Sequence, residues 1–95
     1  MLEELTGSAV VRLNHAVAVA EASGPEAGLV MLDGLEAELP HHHLLPATRA
    51  ELLRRLGRTE EAVTEYGRAL ALVGTQQERE FLLSRRTETE RGLRP

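Results

Sequence analysis

"RLGRTEEAVTEYGRALALVG", residues 55–74, decides how the chain folds. Gly57 breaks the run before it, and Thr59 is a residue type that opens helices. From there Ala62, Val63, Tyr66, Ala69, Leu70 and Val73 recur at three- and four-residue steps, so they share one face of a helix. Gly74 ends it. No nucleophile, His or repeated carboxylate motif falls among them. The segment is therefore built to be packed against something.

The same punctuation divides the rest of the chain. "TGS" at 6–8, with Ser8 as N-cap, predicts a first helix over about residues 9–22. Its apolar positions are Val10, Leu13, Val17 and Ala20. "SGPE" at 23–26 reads as a capping box with Pro25 in the first turn. It predicts a second helix that runs to about residue 39 and stops at Pro40. After the connector "PHHHLLP", a third helix spans about residues 44–56, with Pro46 tolerable only in its first turn. The fourth is residues 59–73. "TQQE" at 75–78 opens the fifth, about residues 76–89, with Phe81 and Leu82 as its main apolar residues. No strand is expected. The connections are short, so neighbouring helices should form antiparallel hairpins.

Composition agrees. The chain has 95 residues, 42% of them apolar, and its aromatics are Tyr66 and Phe81 alone. A core of Leu, Val and Ala favours close helix packing over sheets. There is no Cys, which rules out disulfides, thiolate metal ligands and thiol nucleophiles. Net charge is −4, with all eleven basic residues Arg, so non-specific nucleic-acid binding is disfavoured. No apolar run approaches the roughly 20 residues that span a bilayer. The Glu-bearing start is unlike a signal peptide, and the expected setting is the cytoplasm.

Sliding the sequence by 34 residues superimposes its landmarks. Ala16 falls on Ala50, Val19 on Leu53, Ser23 on Gly57, Gly28 on Ala62, Leu32 on Tyr66 and Pro40 on Gly74. Small residues meet small ones, which is what helix crossings require. A 34-residue helix–turn–helix with these positions resembles the tetratricopeptide repeat. Ala62, Tyr66 and Ala69 match its small–large–small second helix. Leu35 is large where the first copy should be small, and Arg49 stands where Leu is common. The expectation is an all-α fold of stacked antiparallel hairpins in one domain, residues 1–95. Residues 8–40 form a degenerate first repeat, 42–74 the second, and 75–90 a capping helix.

A longer resemblance covers residues 6–86. "VVRLNHAVAVAE" and "LLRRLGRTEEA" are its strongest blocks, and they are similar to the C-terminal extension of one group of bacterial extracytoplasmic-function sigma-70 factors. That resemblance implies a regulatory, protein-binding domain. The expected partners are the upstream sigma regions or a polymerase-associated protein, with a homodimer as a further expectation. No cofactor, no direct nucleic-acid contact and no membrane contact is implied. A stand-alone, self-associating structural adaptor is the alternative.

The resemblance also places a concave binding face on the first helix of each repeat. It would comprise Val10, Leu13, Asn14, Val17 and Glu21, joined by Ala47, Thr48, Glu51, Arg54 and Arg55. Asn14 would hold ligand backbone, and Arg54 with Arg55 would take a carboxylate. His41–His43 invite a metal reading, but consecutive residues diverge, so a polar loop is expected. His15 and Glu21 lie six residues apart on one helix and point to different sides. No catalytic constellation is expected. The outer sides of the first and fifth helices, with Leu2 and Leu5, are expected to leave apolar surface for an upstream domain or a second copy.

Overall fold

The computed structural model describes residues 2–38 and 42–92, with side chains from Val11 onward. Five helices follow in order: α1 Leu2–Ser23, α2 Pro25–Asp33, α3 Leu44–Arg55, α4 Thr59–Leu72 and α5 Gln76–Arg91. The fold is all-α, with no strand among the described residues. Consecutive helices pack as antiparallel hairpins, α1 on α2 and α3 on α4, and α5 closes against α4. The second hairpin stacks on the first through α2, α3 and α1. The body measures 49 × 33 × 18 Å, and its short axis is about two helix diameters. α1, α3 and α5 make one layer, α2 and α4 the other.

Local chemistry explains the boundaries. α1 starts well before the expected entry and runs through Thr6-Gly7-Ser8, so Ser8 is not its cap. Leu2, Glu3, Glu4 and Leu5 are residues of good helix propensity, and one interior Gly costs only about 1 kcal/mol. The expected box at 23–26 does not form either. Ser23 is still helical, the cap position is Gly24 at φ 101°, and no side chain caps α2. The turn is a single residue, so only a Gly can make it, with Pro25 starting the next helix. α2 is shorter than expected. From Gly34 the chain turns, with Leu35 N donating to Leu32 O at 2.9 Å and Glu38 N to Leu35 O at 3.0 Å. Pro40 lies outside the described residues.

The second hairpin follows its sequence more closely. Gly57 has φ 80°, donates to Arg54 O, and is followed by Arg58 donating to Leu53 O. This pair of bonds is the Schellman closure that Gly at this position permits. Thr59 is the first helical residue rather than the cap, which is Arg58. Thr75 caps α5 as expected, accepting from Glu78 N at 3.1 Å.

Two apolar clusters share the core. Leu13, Ala16, Ala20, Leu32, Leu35, Leu45 and Leu52 form the first. Ala50, Leu53, Ala62, Tyr66, Ala69, Leu70 and Leu82 form the second, and Leu29 packs against both. α3 thus feeds both clusters from two sides. The 34-residue partners Ala16 and Ala50, Gly28 and Ala62, and Leu32 and Tyr66 are all buried. Gly28 shows why the position must be small. A Cβ there would lie 2.9 Å from Ala16 O and from Ala20 Cβ, and 3.0 Å from Leu52. Arg49, where a Leu is usual, spans the hairpin junction instead, reaching Asp33 at 3.5 Å and Glu36 at 3.0 Å. Of the two main apolar residues expected on α5, Phe81 is 56% exposed and Leu82 is buried.

Candidate functional site

The layer of α1, α3 and α5 carries the expected binding face, and the structure sorts its residues into three groups. Leu13 is 2% exposed and belongs to the first core, so it is not on the face. The side chain of Val10 lies outside the described residues. Asn14, Val17 and Glu21 on α1 are exposed, as are Arg54 and Arg55 on α3, while Ala47, Thr48 and Glu51 are half-buried.

The charged members are largely engaged with each other. Glu51 is the hub. It accepts a hydrogen bond from the buried Tyr66 hydroxyl and one from Arg54 Nη2 at 3.0 Å, with Arg85 Nε at 3.8 Å. One carboxylate therefore ties α3 to α4 and α5. Burial pushes the Glu51 carboxyl up, but the bonds from Tyr66 and Arg54 and the charges of Arg54 and Arg85 outweigh it and hold it below its usual value. The Tyr66 phenol moves the other way. Burial, then its bond to Glu51, push it up to about 12. Arg55 reaches Glu21 at 3.4 Å, tying α3 to α1. The two arginines expected to take a ligand carboxylate thus face carboxylates of the chain itself.

Beside this network lies an apolar cleft of about 270 Å³ between the start of α3 and α5. Leu44, Ala47, Phe81 and Leu82 form its walls, with His43, Gln77 and Glu78 at the rim. Leu44 is 40% exposed, and Arg85 sits 5.3 Å over the Phe81 ring. An exposed aromatic beside an aliphatic wall, with charge at its margin, is the composition of a protein-binding hot spot. A larger hollow of about 320 Å³ opens on the other layer, but it is lined by charges such as Arg58 and Glu61 that pair at 2.7 Å. Its chemistry is that of a solvated surface.

Sequence reasoning missed Leu44 and Phe81. The signal was there, because the 34-residue shift carries Val10 onto Leu44 and Ala47 onto Phe81.

The histidines serve the connection. His43 Nε2 lies 2.6 Å from Glu78 Oε2, the His42 and His43 rings stack 5.5 Å apart, and His42 Nδ1 accepts from Leu44 N. His41 lies outside the described residues. Among the described residues no group of three or more metal-ligating side chains converges. His15 is exposed, with Glu21 turned toward Arg55. No described helix is long and apolar enough to cross a membrane.

Fold and face together define a small all-α chain of stacked helical hairpins. It is 42% identical over 81 residues to a protein of Rhizobium meliloti (strain 1021) that is described as uncharacterized. The match takes in 85% of this chain and 19% of that protein, so the chain spans about a fifth of the relative's length. No protein-family model matches the chain, and no solved structure matches it.

Proposed function

We propose that the chain is a protein-interaction and regulatory module of an extracytoplasmic-function sigma factor. It would work by binding in the cytoplasm, without catalysis, cofactor or direct nucleic-acid contact. Its partners would be the sigma regions or a polymerase-associated protein. The observation that carries the interaction reading is the apolar cleft between α3 and α5, where Phe81 and Leu44 are held exposed at the edge of the Glu51–Arg54–Arg85 network. Keeping a ring in water has no structural gain, whereas packing it into a partner removes that apolar area from solvent. The transcriptional part of the reading rests on the resemblance of "VVRLNHAVAVAE" and "LLRRLGRTEEA" to sigma-factor extensions. It is compatible with a relative in which the matched segment is a minor share of a longer chain. In such proteins the extension would decide whether the sigma factor is productive, in place of a separate anti-sigma partner.

The test is retention of bacterial RNA polymerase, or of the two DNA-binding regions of an extracytoplasmic-function sigma factor, on immobilised chain. Retention is expected, and Phe81→Glu should weaken it by about tenfold or more, as loss of a hot-spot aromatic does. Failure to retain either would overturn the transcriptional reading. Light scattering tests the adaptor alternative, which the exposed Leu44, Phe81 and Leu83 favour. A concentration-dependent dimer abolished by Phe81→Glu would support it.

A further inference from the structure

One stripe of α5 stands over the apolar cleft. Glu78, Phe81 and Arg85 are spaced i, i+3, i+7, so they form one line along the helix. The order along that line is acid, aromatic, base. Phe81 is 56% exposed, and the side chains of Glu78 and Arg85 are 40% and 37% exposed.

The two charges are set in place by their own chain. Glu78 accepts from the Thr75 hydroxyl at 2.9 Å and lies 2.6 Å from His43 Nε2. Arg85 sits 5.3 Å over the Phe81 ring, and its Nε stops 3.8 Å from Glu51, outside hydrogen-bond distance. The guanidinium can therefore still give a carboxylate a close, charge-assisted contact. Beside this line, the cleft of about 270 Å³ lies between Leu44 and Ala47 of α3 and Leu82 of α5. It falls below the roughly 300–1,000 Å³ of small-molecule sites and suits a side chain better. A protruding ring and a hollow thus lie next to each other on one molecule. A two-fold interface requires this, because each copy must offer both halves.

We propose that the α3–α5 cleft is closed by a second copy of this chain, with the two α5 helices antiparallel about a two-fold axis beside Phe81. The charge order selects both the occupant and its direction. Turning one helix end for end brings Glu78 of each copy against Arg85 of the other, so both ion pairs form at once. A parallel arrangement would set Glu78 on Glu78 and Arg85 on Arg85. In the antiparallel pair each Phe81 ring enters the other copy's cleft, against Leu44. The inference rests on the reading of the cleft as an interaction site and names its occupant, and it holds with or without a role in transcription. A copy seated there excludes any other partner, so self-association keeps the site closed until a tighter binder displaces it.

Sedimentation equilibrium of the whole chain tests this. A seam of one helix per copy is smaller than the roughly 800 Å² per partner of a standard interface, so the dimer should be reversible, at about 10–100 μM. Phe81→Ala should weaken it about tenfold or more. Glu78→Arg should leave the chain monomeric, and so should Arg85→Glu, because each sets like charges together in both pairs. An equimolar mixture of these two variants should associate again, as one copy of each. Circular dichroism checks that each variant keeps its helices. A second measurement leaves the charges untouched. Gln77 and Ser84 are exposed, flank the same line, and meet across the two-fold. The chain has no Cys, so Gln77→Cys mixed with Ser84→Cys in oxidised glutathione should form a mixed disulfide faster than either variant cross-links to itself. A monomer up to about 1 mM, no recovery on mixing the folded charge variants, or a mixed disulfide no faster than the others would overturn the proposal. The polymerase retention assay reads a different occupant, so the two readings fail separately.

Discussion

In the first hairpin, α1 and α2 cross on bare backbone; in the second, α3 and α4 cross around a phenol ring. Gly28 lets Ala16 and Ala20 approach within van der Waals distance of the facing helix, and Leu32 fills the space beside them. The equivalent positions of the second hairpin are Ala62 and Tyr66, both buried. The ring fills more volume than Leu32 and brings a hydroxyl that needs a partner. Glu51 supplies it, and Glu51 in turn engages Arg54 and Arg85. Among the described residues, the first hairpin has a rim contact in its place, an exposed pair between Arg12 and Glu38. The repeat therefore fixes sizes at a crossing and leaves chemistry free. Where the large residue is polar at its tip, the hairpin gains a strut to α5, and that strut runs beside the proposed binding cleft.

If this contrast holds, truncating the two large residues should have unequal effects. Tyr66→Ala empties a fully buried site and strips Glu51 of a donor, and should cost about 3–5 kcal/mol. Leu32→Ala, equally buried, should fall toward the lower part of the roughly 2–5 kcal/mol range usual for Leu. Urea unfolding followed by circular dichroism measures both. Equal costs would mean that the polar strut contributes nothing beyond the ring's volume.

The small residues give the next effect in size. Gly28→Ala places a Cβ 2.9 Å from a backbone carbonyl that cannot move without shifting α1. Overpacking of this kind costs about 1–3 kcal/mol, against about 1 kcal/mol gained in helix propensity. The expected net is destabilisation, although Gly→Ala in an exposed helix would stabilise. A stabilised Gly28→Ala variant in the same unfolding assay would show that the backbones are not in contact there.

The same contrast explains what could be read in advance. α3, α4 and α5 fall within two residues of expectation, because Gly57 and Thr75 punctuate them with residues whose backbone or capping roles are specific. The first hairpin has weaker punctuation. Thr6-Gly7-Ser8 carries cap chemistry but stays helical, and Ser23 looks like a cap but is spent inside α1, since Gly24 alone makes the turn. Leu35 stands at the position of Ala69 and is too large for it. It is buried from a turn after α2 has ended, which periodicity could not foresee. On α5, Phe81 and Leu82 are neighbours some 100° apart around the helix, and spacing alone does not say which one faces inward. Only the direction from which α4 approaches decides, and it selects Leu82. The helices that carry Asn14, Glu51, Arg54 and Arg55 were legible, and the structure leaves Asn14, Arg54 and Arg55 exposed and Glu51 half-buried. The pairing of Glu51 was not legible, because it meets Tyr66 across fifteen residues of chain.

The smallest effect isolates the strut itself. Tyr66→Phe keeps the ring and removes one hydrogen bond, so it should cost about 1 kcal/mol near neutral pH, with somewhat more because the acceptor is charged. Its signature lies in the pH dependence. The Glu51 carboxyl is held below its usual 4.5 in the folded chain, so its contribution is present above that value and is lost as pH falls through the lowered one. Tyr66 is raised from 10.0 to about 12, so its contribution is complete below pH 10 and is lost as pH climbs toward 12. In Tyr66→Phe the alkaline loss between those two values should vanish. The acid loss should shrink, because Glu51 keeps Arg54 and Arg85 but no longer receives the phenol's hydrogen bond. Leu32→Tyr would place a phenol at the equivalent crossing of the first hairpin. No carboxylate waits for it there, since the residue matching Glu51 is Val17. Its hydroxyl would be buried without an acceptor, so it should lower stability rather than raise it, and a stable Leu32→Tyr would break the link between ring and carboxylate.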